Sequence, residues 1–232
     1  MQLPRLYLSA QVQTLRRSSQ EGCGMIFQPC DCFHCRRGAQ QVIFPIVLNN
    51  TVEYWLDIPK NASTSIKTKF DLDGKPSVPK EYYSMFAASG IKPYAVYRDP
   101  MVRFASLLQH YLTRSGPYGR YNRGEKFFWN HMNLKIEELS IEERMEIMFD
   151  NLTKLNGFYY VHHWFPQTYW LPKEFQEYKW VAMEDVQKVF DIGNTNPGSG
   201  KITTDMLTKR MKDFVAIEYR DDYEYFTSKG LL

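Results

Sequence analysis

The sequence predicts an α/β fold with a central parallel sheet and helices on both faces. Short apolar stretches that suit buried strands alternate along the chain with longer stretches in which apolar residues recur at helical spacing. This alternation is typical of parallel sheets, because each connecting helix must cover a face of the sheet. With 232 residues, 44% of them hydrophobic and 16% aromatic, the chain is long enough for one domain with a substantial core.

Turn residues separate the predicted elements from one another. The elements predicted before residue 114 are an apolar run at 41–48, a strand at 52–58, a helix from 63 to about 71, a short helix at 80–88, a strand at 94–97 and a helix at 100–113. Those predicted after residue 135 are a helix at 136–152, a strand at 178–183, a short helix at 184–190, a loop at 191–201 and a helix from 203 or 204 to about 217. Residues 115–123 are rich in glycine, proline, arginine and tyrosine, which predicts an irregular substrate loop.

The segment after the strand at 52–58 has the composition of an anion-binding turn. Lys60 follows a proline, and small or hydroxylated residues then open the helix: Asn61, Ala62, Ser63, Thr64 and Ser65. The first backbone N–H groups of a helix lack intrahelical partners and the helix dipole favours negative charge there, so this order suits a phosphate. It is not a Walker A loop, because both glycines of that motif are missing and the lysine precedes the small residues. The alternative is an ordinary capped helix with a lysine in solvent.

A second strand, turn and helix follow in the same arrangement. Arg98 lies where the strand at 94–97 ends, and Arg103 and Ser106 are three residues apart, so they share one face of the next helix. An arginine fork with a serine hydroxyl suits a terminal phosphate monoester. The alternative is that Arg98 and Asp99 form an ordinary ion pair at the helix entry.

A third block, His162-His163-Trp164-Phe165-Pro166-Gln167, precedes a strand that ends in Glu184-Asp185. Together the three segments resemble the sulfotransferases that use 3′-phosphoadenosine-5′-phosphosulfate (PAPS). Residues 59–65 are similar to the 5′-phosphosulfate loop of the heparan 2-O-sulfotransferases, and 98–106 to the family's 3′-phosphate motif. The third block is similar to carbohydrate sulfotransferases of the HNK-1 and chondroitin type. The resemblance covers residues 42–227.

This resemblance implies a P-loop-like three-layer sandwich that transfers a sulfuryl group from PAPS to a hydroxyl acceptor, for which a carbohydrate is expected. It implies that the turn at 60–65 binds the 5′-phosphate, that Arg98 and Ser106 bind the 3′-phosphate, and that a late loop containing Lys201 closes over the adenine. Lys60 is also implied as a catalytic residue beside the leaving phosphate. No metal is required, because arginine, lysine and the helix termini supply the positive field. The donor-binding residues implied are Lys60, Asn61, Ala62, Ser63, Thr64, Ser65, Arg98, Ser106 and Lys201.

A hydroxyl acceptor needs a general base, and the family's usual histidines do not carry over to this chain. The heparan 2-O enzymes place them just before the Arg-Asp-Pro strand, but residues 66–97 contain no histidine. His163, in the third block, is therefore the first candidate for the catalytic base. Glu184 and His131 are the alternatives.

All four cysteines lie close together near the N-terminus, at Cys23, Cys30, Cys32 and Cys35. Thiolates from one tight loop can hold a tetrahedral zinc ion, although this spacing differs from that of the common zinc ribbons. Reduced cysteines, one or two disulfides and a natural start at Met25 are the alternatives. Residues 1–40 are therefore predicted as a cysteine-containing extension of the sulfotransferase domain at 41–232, dispensable for catalysis.

Charge and hydropathy narrow the expected partners. The 29 basic and 26 acidic residues give a net charge of +3, which does not indicate a nucleic-acid partner. No stretch approaches the ~20 apolar residues of a membrane span, and the first residues lack the pattern of a secretory signal. A soluble cytoplasmic protein is expected. The alternative functions are a kinase-like nucleotide enzyme, which the missing Walker glycines disfavour, and a non-catalytic, metal-stapled binding module.

Overall fold

The computed structural model of the protein describes residues 41–113, 138–154, 164–192 and 202–232. A four-stranded sheet with helices packed against it gives the protein an α/β fold. The strands, which lie in the sheet in chain order, are β1 (Ile43–Leu48), β2 (Thr51–Leu56), β3 (Tyr94–Tyr97) and β4 (Lys179–Ala182). The helices are α1 (Ser63–Lys69), α2 (Tyr83–Ala88), α3 (Pro100–Thr113), α4 (Ile141–Lys154), α5 (Val186–Phe190), α6 (Lys209–Glu218) and α7 (Arg220–Ser228).

The prediction of a parallel sheet is wrong in one respect, because the sheet is mixed. β2, β3 and β4 are parallel neighbours, but β1 pairs with β2 as an antiparallel hairpin in which Ile43 lies opposite Leu56. The hairpin turn is made by Asn49 and Asn50, whose φ angles are 51° and 61°. Positive φ at both central residues is the property of the type I′ turn, which matches the twist of a two-residue hairpin.

β1 is an edge strand, and its sequence suits that place. The carbonyl oxygen of Ile43 points away from β2 and accepts a hydrogen bond from the Val78 N–H at 2.8 Å. Backbone groups alternate in direction along a strand, so Pro45 also turns its backbone outward. Proline has no N–H to offer a further strand, which is why it is tolerated at this edge.

The sheet buries apolar side chains on both faces. Because successive strand residues point to opposite faces, the neighbours Trp55 and Leu56 belong to different clusters, as do Ala95 and Val96. The cluster on one face includes Trp55, Val96, Val181, Ile66 of α1 and Phe190 of α5. The cluster on the other face includes Ile43, Leu56, Ala95, Tyr83 of α2 and Trp170. Helices therefore cover both faces of the sheet.

A third apolar cluster joins α3, α4 and α6 and, within the described residues, includes none from the strands. Phe104 of α3 is at its centre and is fully buried. Its ring centroid lies 5.4 Å from that of Trp164, 6.0 Å from that of Phe214 and 6.4 Å from those of Phe149 and Tyr219. Aromatic burial of this kind fixes α3, whose first residues follow the β3 strand end.

Most predicted elements are confirmed in position, and the largest difference lies at the C-terminus. The predicted helix from 203 or 204 to about 217 is α6, but it begins only at Lys209, with Thr208 as its N-cap. A second helix, α7, follows directly after Tyr219. The predicted N-terminal extension and substrate loop lie outside the described residues. No helix in the described part of the chain is long and apolar enough to cross a lipid bilayer.

Replacing Phe104 with alanine should lower the free energy of unfolding by about 3–5 kcal/mol, because the lost ring leaves a cavity among buried aromatic groups. Val102→Ala is the matched control, since Val102 lies on the same helix but is 40% exposed. The control should change stability by less than about 0.5 kcal/mol. Urea denaturation measures both variants, and equal losses would contradict this account of the cluster.

Candidate functional site

The chain between β2 and α1 makes a tight turn in which residues with left-handed backbone conformation alternate with a residue that lacks it. Lys60 and Ala62 have φ angles of 71° and 59°, whereas Asn61 between them is not in the left-handed region. The Asn61 N–H donates to the Ile58 carbonyl oxygen at 3.2 Å, and the Ala62 carbonyl oxygen accepts from the Ile66 N–H of α1 at 3.0 Å. Alternating hand can direct successive N–H groups into a concave nest that binds anions.

The first turn of α1 adds to this positive potential. Ala62 is the N-cap and supplies no side-chain hydrogen bond, and the first turn contains no acidic residue. The positive end of the helix dipole is therefore not neutralised by side chains of α1 itself. Of the predicted hydroxyl donors, Thr64 is exposed, and Ser63 and Ser65 are half-buried.

Arg98 follows β3, the parallel neighbour of β2. Burial, together with the positive charge of Arg103, lowers the pKa of Arg98, while the nearby Asp99 opposes that change. Asp99 itself caps α3, since its Oδ1 accepts from the Val102 N–H at 2.9 Å. Among the described residues, the buried Nε of Arg98 has no hydrogen-bond partner. A buried guanidinium N–H in this state is suited to an anionic ligand.

Arg103 has a different role from the phosphate fork that the sequence suggests. It is fully buried, and its Nη1–H donates to the Phe165 carbonyl oxygen at 2.9 Å. Its Nε and Nη2 donate to the Pro59 carbonyl oxygen, both at 3.4 Å. Arg103 therefore ties the turn after β2 to the third sequence block. Ser106 is half-buried one turn further along α3.

Gln167, the last residue of the third block, connects the two loops directly. Its Oε1 accepts from Asn61 Nδ2 at 2.6 Å and from the Arg98 N–H at 3.0 Å. Its Nε2 donates to the Arg98 carbonyl oxygen at 2.8 Å and to Asp222 Oδ2 at 3.3 Å. All hydrogen-bonding positions of this amide are used. Asn61 Nδ2 also donates to the Val96 carbonyl oxygen at 2.7 Å, while Asn61 Oδ1 has no partner within the described residues.

Asp222, in the first turn of α7, anchors this network from the opposite side. It is fully buried, and its Oδ2 accepts from the Gln167 N–H at 2.7 Å. Its Oδ1 accepts from the N–H and the hydroxyl of Thr168 at 2.8 and 2.9 Å. Sequence reasoning missed Asp222 because α7 was not predicted and no motif marks the residue.

Several predicted site residues lie outside the described residues, so their roles remain predictions. They are His163, Lys201, the alternative base His131, and the cysteines Cys23, Cys30, Cys32 and Cys35. Glu184, the other alternative base, is exposed directly after β4. Burial and then the negative charges of Glu184 and Asp185 raise the pKa of Tyr97, so these carboxylates lie near the end of β3. The described part of the chain has no group of three metal-ligating side chains.

Lys60 and Arg98 follow the adjacent parallel strands β2 and β3, whose carboxyl ends meet at one edge of the sheet. Comparisons with protein-family models, with curated proteins and with solved structures found no match for this chain. The chemistry of this edge, with two basic residues, a turn of alternating hand and an uncapped helix start, suits an anionic ligand.

The left-handed turn predicts an unusual response to glycine. Ala62→Gly should raise the free energy of unfolding by up to about 1 kcal/mol, because relief of the left-handed alanine exceeds the entropy that glycine adds to the unfolded chain. Ala216→Gly, at an exposed position of α6, should lower it by about 1 kcal/mol. Thermal denaturation compares the two, and a similar loss in both would mean that Ala62 is not left-handed in solution.

Proposed function

We propose that the protein is a PAPS-dependent sulfotransferase that transfers a sulfuryl group to a hydroxyl acceptor, with a carbohydrate as the acceptor class. The observation that carries the proposal is the placement of Lys60 and Arg98 after adjacent parallel strands, joined through Asn61 and Gln167. Their sequence motifs occur in the order found in that family. The proposal includes a P-loop-like fold, which the parallel β2, β3 and β4 support.

The residues present fit a donor that carries phosphates at two positions. The turn at 60–65 offers a lysine and backbone N–H groups for the 5′-phosphate. Arg98 offers a buried Nε, without a partner in the described residues, for the 3′-phosphate. Because Arg98 is close enough to Arg103 to be affected by its charge, a bound phosphate would offset an unfavourable pair of like charges. Ser106 is the proposed hydroxyl donor to the same phosphate.

In the proposed reaction, the acceptor oxygen forms a bond to sulfur while the bond between sulfur and the 5′-phosphate oxygen breaks. The leaving phosphate keeps the electron pair, and the acceptor proton passes to a base. Lys60 neutralises the charge that develops on the leaving oxygen. His163 is the proposed base, with Glu184 as the alternative. The proposal needs no metal, because Lys60, Arg98 and the start of α1 supply positive charge.

The 3′-phosphate assignment predicts a selective loss of affinity in Arg98→Ala. This variant should bind 3′-phosphoadenosine-5′-phosphate more weakly by roughly 1.5–3 kcal/mol, the scale of hydrogen bonds to charged groups. Adenosine-5′-phosphosulfate, which lacks the 3′-phosphate, should bind the variant and the wild type equally. Isothermal titration calorimetry measures both ligands, with Arg220→Ala as a control because Arg220 is exposed on α7. Equal losses for both ligands would disprove the assignment, and no binding by the wild type would disprove the function.

The catalytic role of Lys60 predicts that turnover depends on this residue more than donor affinity does. Lys60→Ala should lower kcat by ~10²–10³, the usual effect of removing one group that stabilises developing charge. The assay follows labelled sulfate from PAPS to a panel of glycans and small alcohols at saturating donor. Lys80→Ala, at an exposed lysine, is the control. A loss confined to donor affinity would show that Lys60 only binds the donor.

A further inference from the structure

We propose that Asn61, Gln167 and Asp222 form a positioning relay that holds the turn after β2 and the loop after β3 at a fixed spacing. Through this spacing, the relay selects ligands whose two phosphates are separated by the matching distance. The selection of ligands rests on the proposed function, whereas the holding of the two loops does not. The proposed reaction gives no chemical step to these three side chains, so they act through the residues that they position.

The first step of the relay joins Gln167 to the backbone of Arg98. The side-chain amide receives the Arg98 N–H at 3.0 Å and donates to the Arg98 carbonyl oxygen at 2.8 Å. A neighbouring strand would bond to the same two backbone groups, so Gln167 extends the hydrogen bonding of β3 by one residue beyond its carboxyl end. The direction in which the Arg98 side chain leaves the sheet is thereby fixed.

The second step joins the same amide oxygen to the turn after β2. Gln167 Oε1 also accepts from Asn61 Nδ2 at 2.6 Å, and that nitrogen donates to the Val96 carbonyl oxygen at 2.7 Å. Asn61 lies between the two left-handed residues of the turn, so fixing its side chain fixes the conformation of the turn. The single oxygen Oε1 of Gln167 thus bonds to both loops and fixes their separation.

The third step fixes Gln167 through the buried carboxylate of Asp222. The carboxylate accepts from the backbone N–H of Gln167 and from both donors of Thr168 at 2.7–2.9 Å. Hydrogen bonds to an ionised acceptor are stronger than neutral ones, and this acceptor is excluded from solvent. α7 is therefore the part of the fold that sets the position of the relay.

The relay joins distant parts of the chain through polar contacts in the protein interior, since Asn61, Gln167 and Asp222 are all buried. Its hydrogen bonds join parts of the chain that are 35 to 106 residues apart. Directional bonds between distant loops specify geometry more narrowly than apolar contacts of the same volume would. Such long-range directional bonds suit a positioning role.

Asp222→Asn tests the relay without any ligand, because it turns an amide donor toward groups that are themselves donors. Hydrogen exchange read by mass spectrometry should become about tenfold faster or more in peptides covering residues 58–66 and 94–99. Peptides from α4 should keep wild-type exchange. Asp221→Asn is the matched control, since Asp221 is exposed on the same turn of α7. Unchanged exchange of both loops, or equal loosening of α4, would overturn the relay.

The same variants test the selection of ligands with three nucleotides. Asp222→Asn should lower the affinity for 3′-phosphoadenosine-5′-phosphate about tenfold or more, because misplaced half-sites cannot both engage one ligand. Affinities for adenosine 5′-monophosphate and adenosine 3′-monophosphate should each change less than about twofold, since each uses one half-site. An equal fall in affinity for all three nucleotides would indicate a merely structural role. An unchanged affinity for the bisphosphate would overturn the selection of ligands by the relay.

Gln167→Met gives an independent route if Asp222→Asn does not fold. It keeps the length of the side chain and removes its hydrogen bonds to Asn61 and Arg98. Both the exchange and the nucleotide results should match those expected for Asp222→Asn, and wild-type behaviour would overturn the relay. If the wild type binds the bisphosphate no better than the monophosphates, the proposed function fails, and the exchange measurement still decides whether the relay holds the loops.

Discussion

The side-chain amide of Gln167 is the contact on which the geometry of the candidate site depends. It is fully buried, and its oxygen and nitrogen meet Asn61, both backbone groups of Arg98, and Asp222. A buried amide that loses a partner is penalised by its lost hydration, so all these partners constrain one another. Any shift of one loop at this edge of the sheet would break a bond to the other.

Backbone strain and unpaired polar atoms lie at the same edge of the sheet. Lys60 and Ala62 adopt a left-handed conformation, and within the described residues Asn61 Oδ1 and Arg98 Nε have no partner. Such features persist only where the surrounding structure enforces them, and they are concentrated at functional sites. Here the apolar clusters on both faces of the sheet and the aromatic packing around Phe104 supply the enforcing scaffold.

The sequence predicted the local elements and the parallel direction of β2, β3 and β4, but not the antiparallel direction of β1. The strand at 94–97 and the helix at 100–113 match the structure because apolar spacing and a proline at the first helical position are local signals. The antiparallel direction of β1 is set by the turn at Asn49 and Asn50, and this signal was missed. Placing Arg103 and Ser106 on one helical face was sound, but periodicity cannot tell a ligand-facing side from a buried one. Asp222 could not be found because its role depends on how α7 packs.

The two arginines on the β3 side of the site support the proposal of an anionic ligand at this edge. Arg103 donates to carbonyl oxygens. Burial lowers the pKa of the Arg103 guanidinium, and the charges of Tyr219 and then Asp222 oppose that change. Burial and then the positive charge of Arg103 lower the pKa of Arg98, and the carboxylate of Asp99, which also caps α3, opposes that change. The relay bonds only to the backbone of Arg98 and does not involve its guanidinium. A phosphate there would add to the counter-charge that Asp99 supplies, which links the electrostatics of the fold to the donor proposed for it.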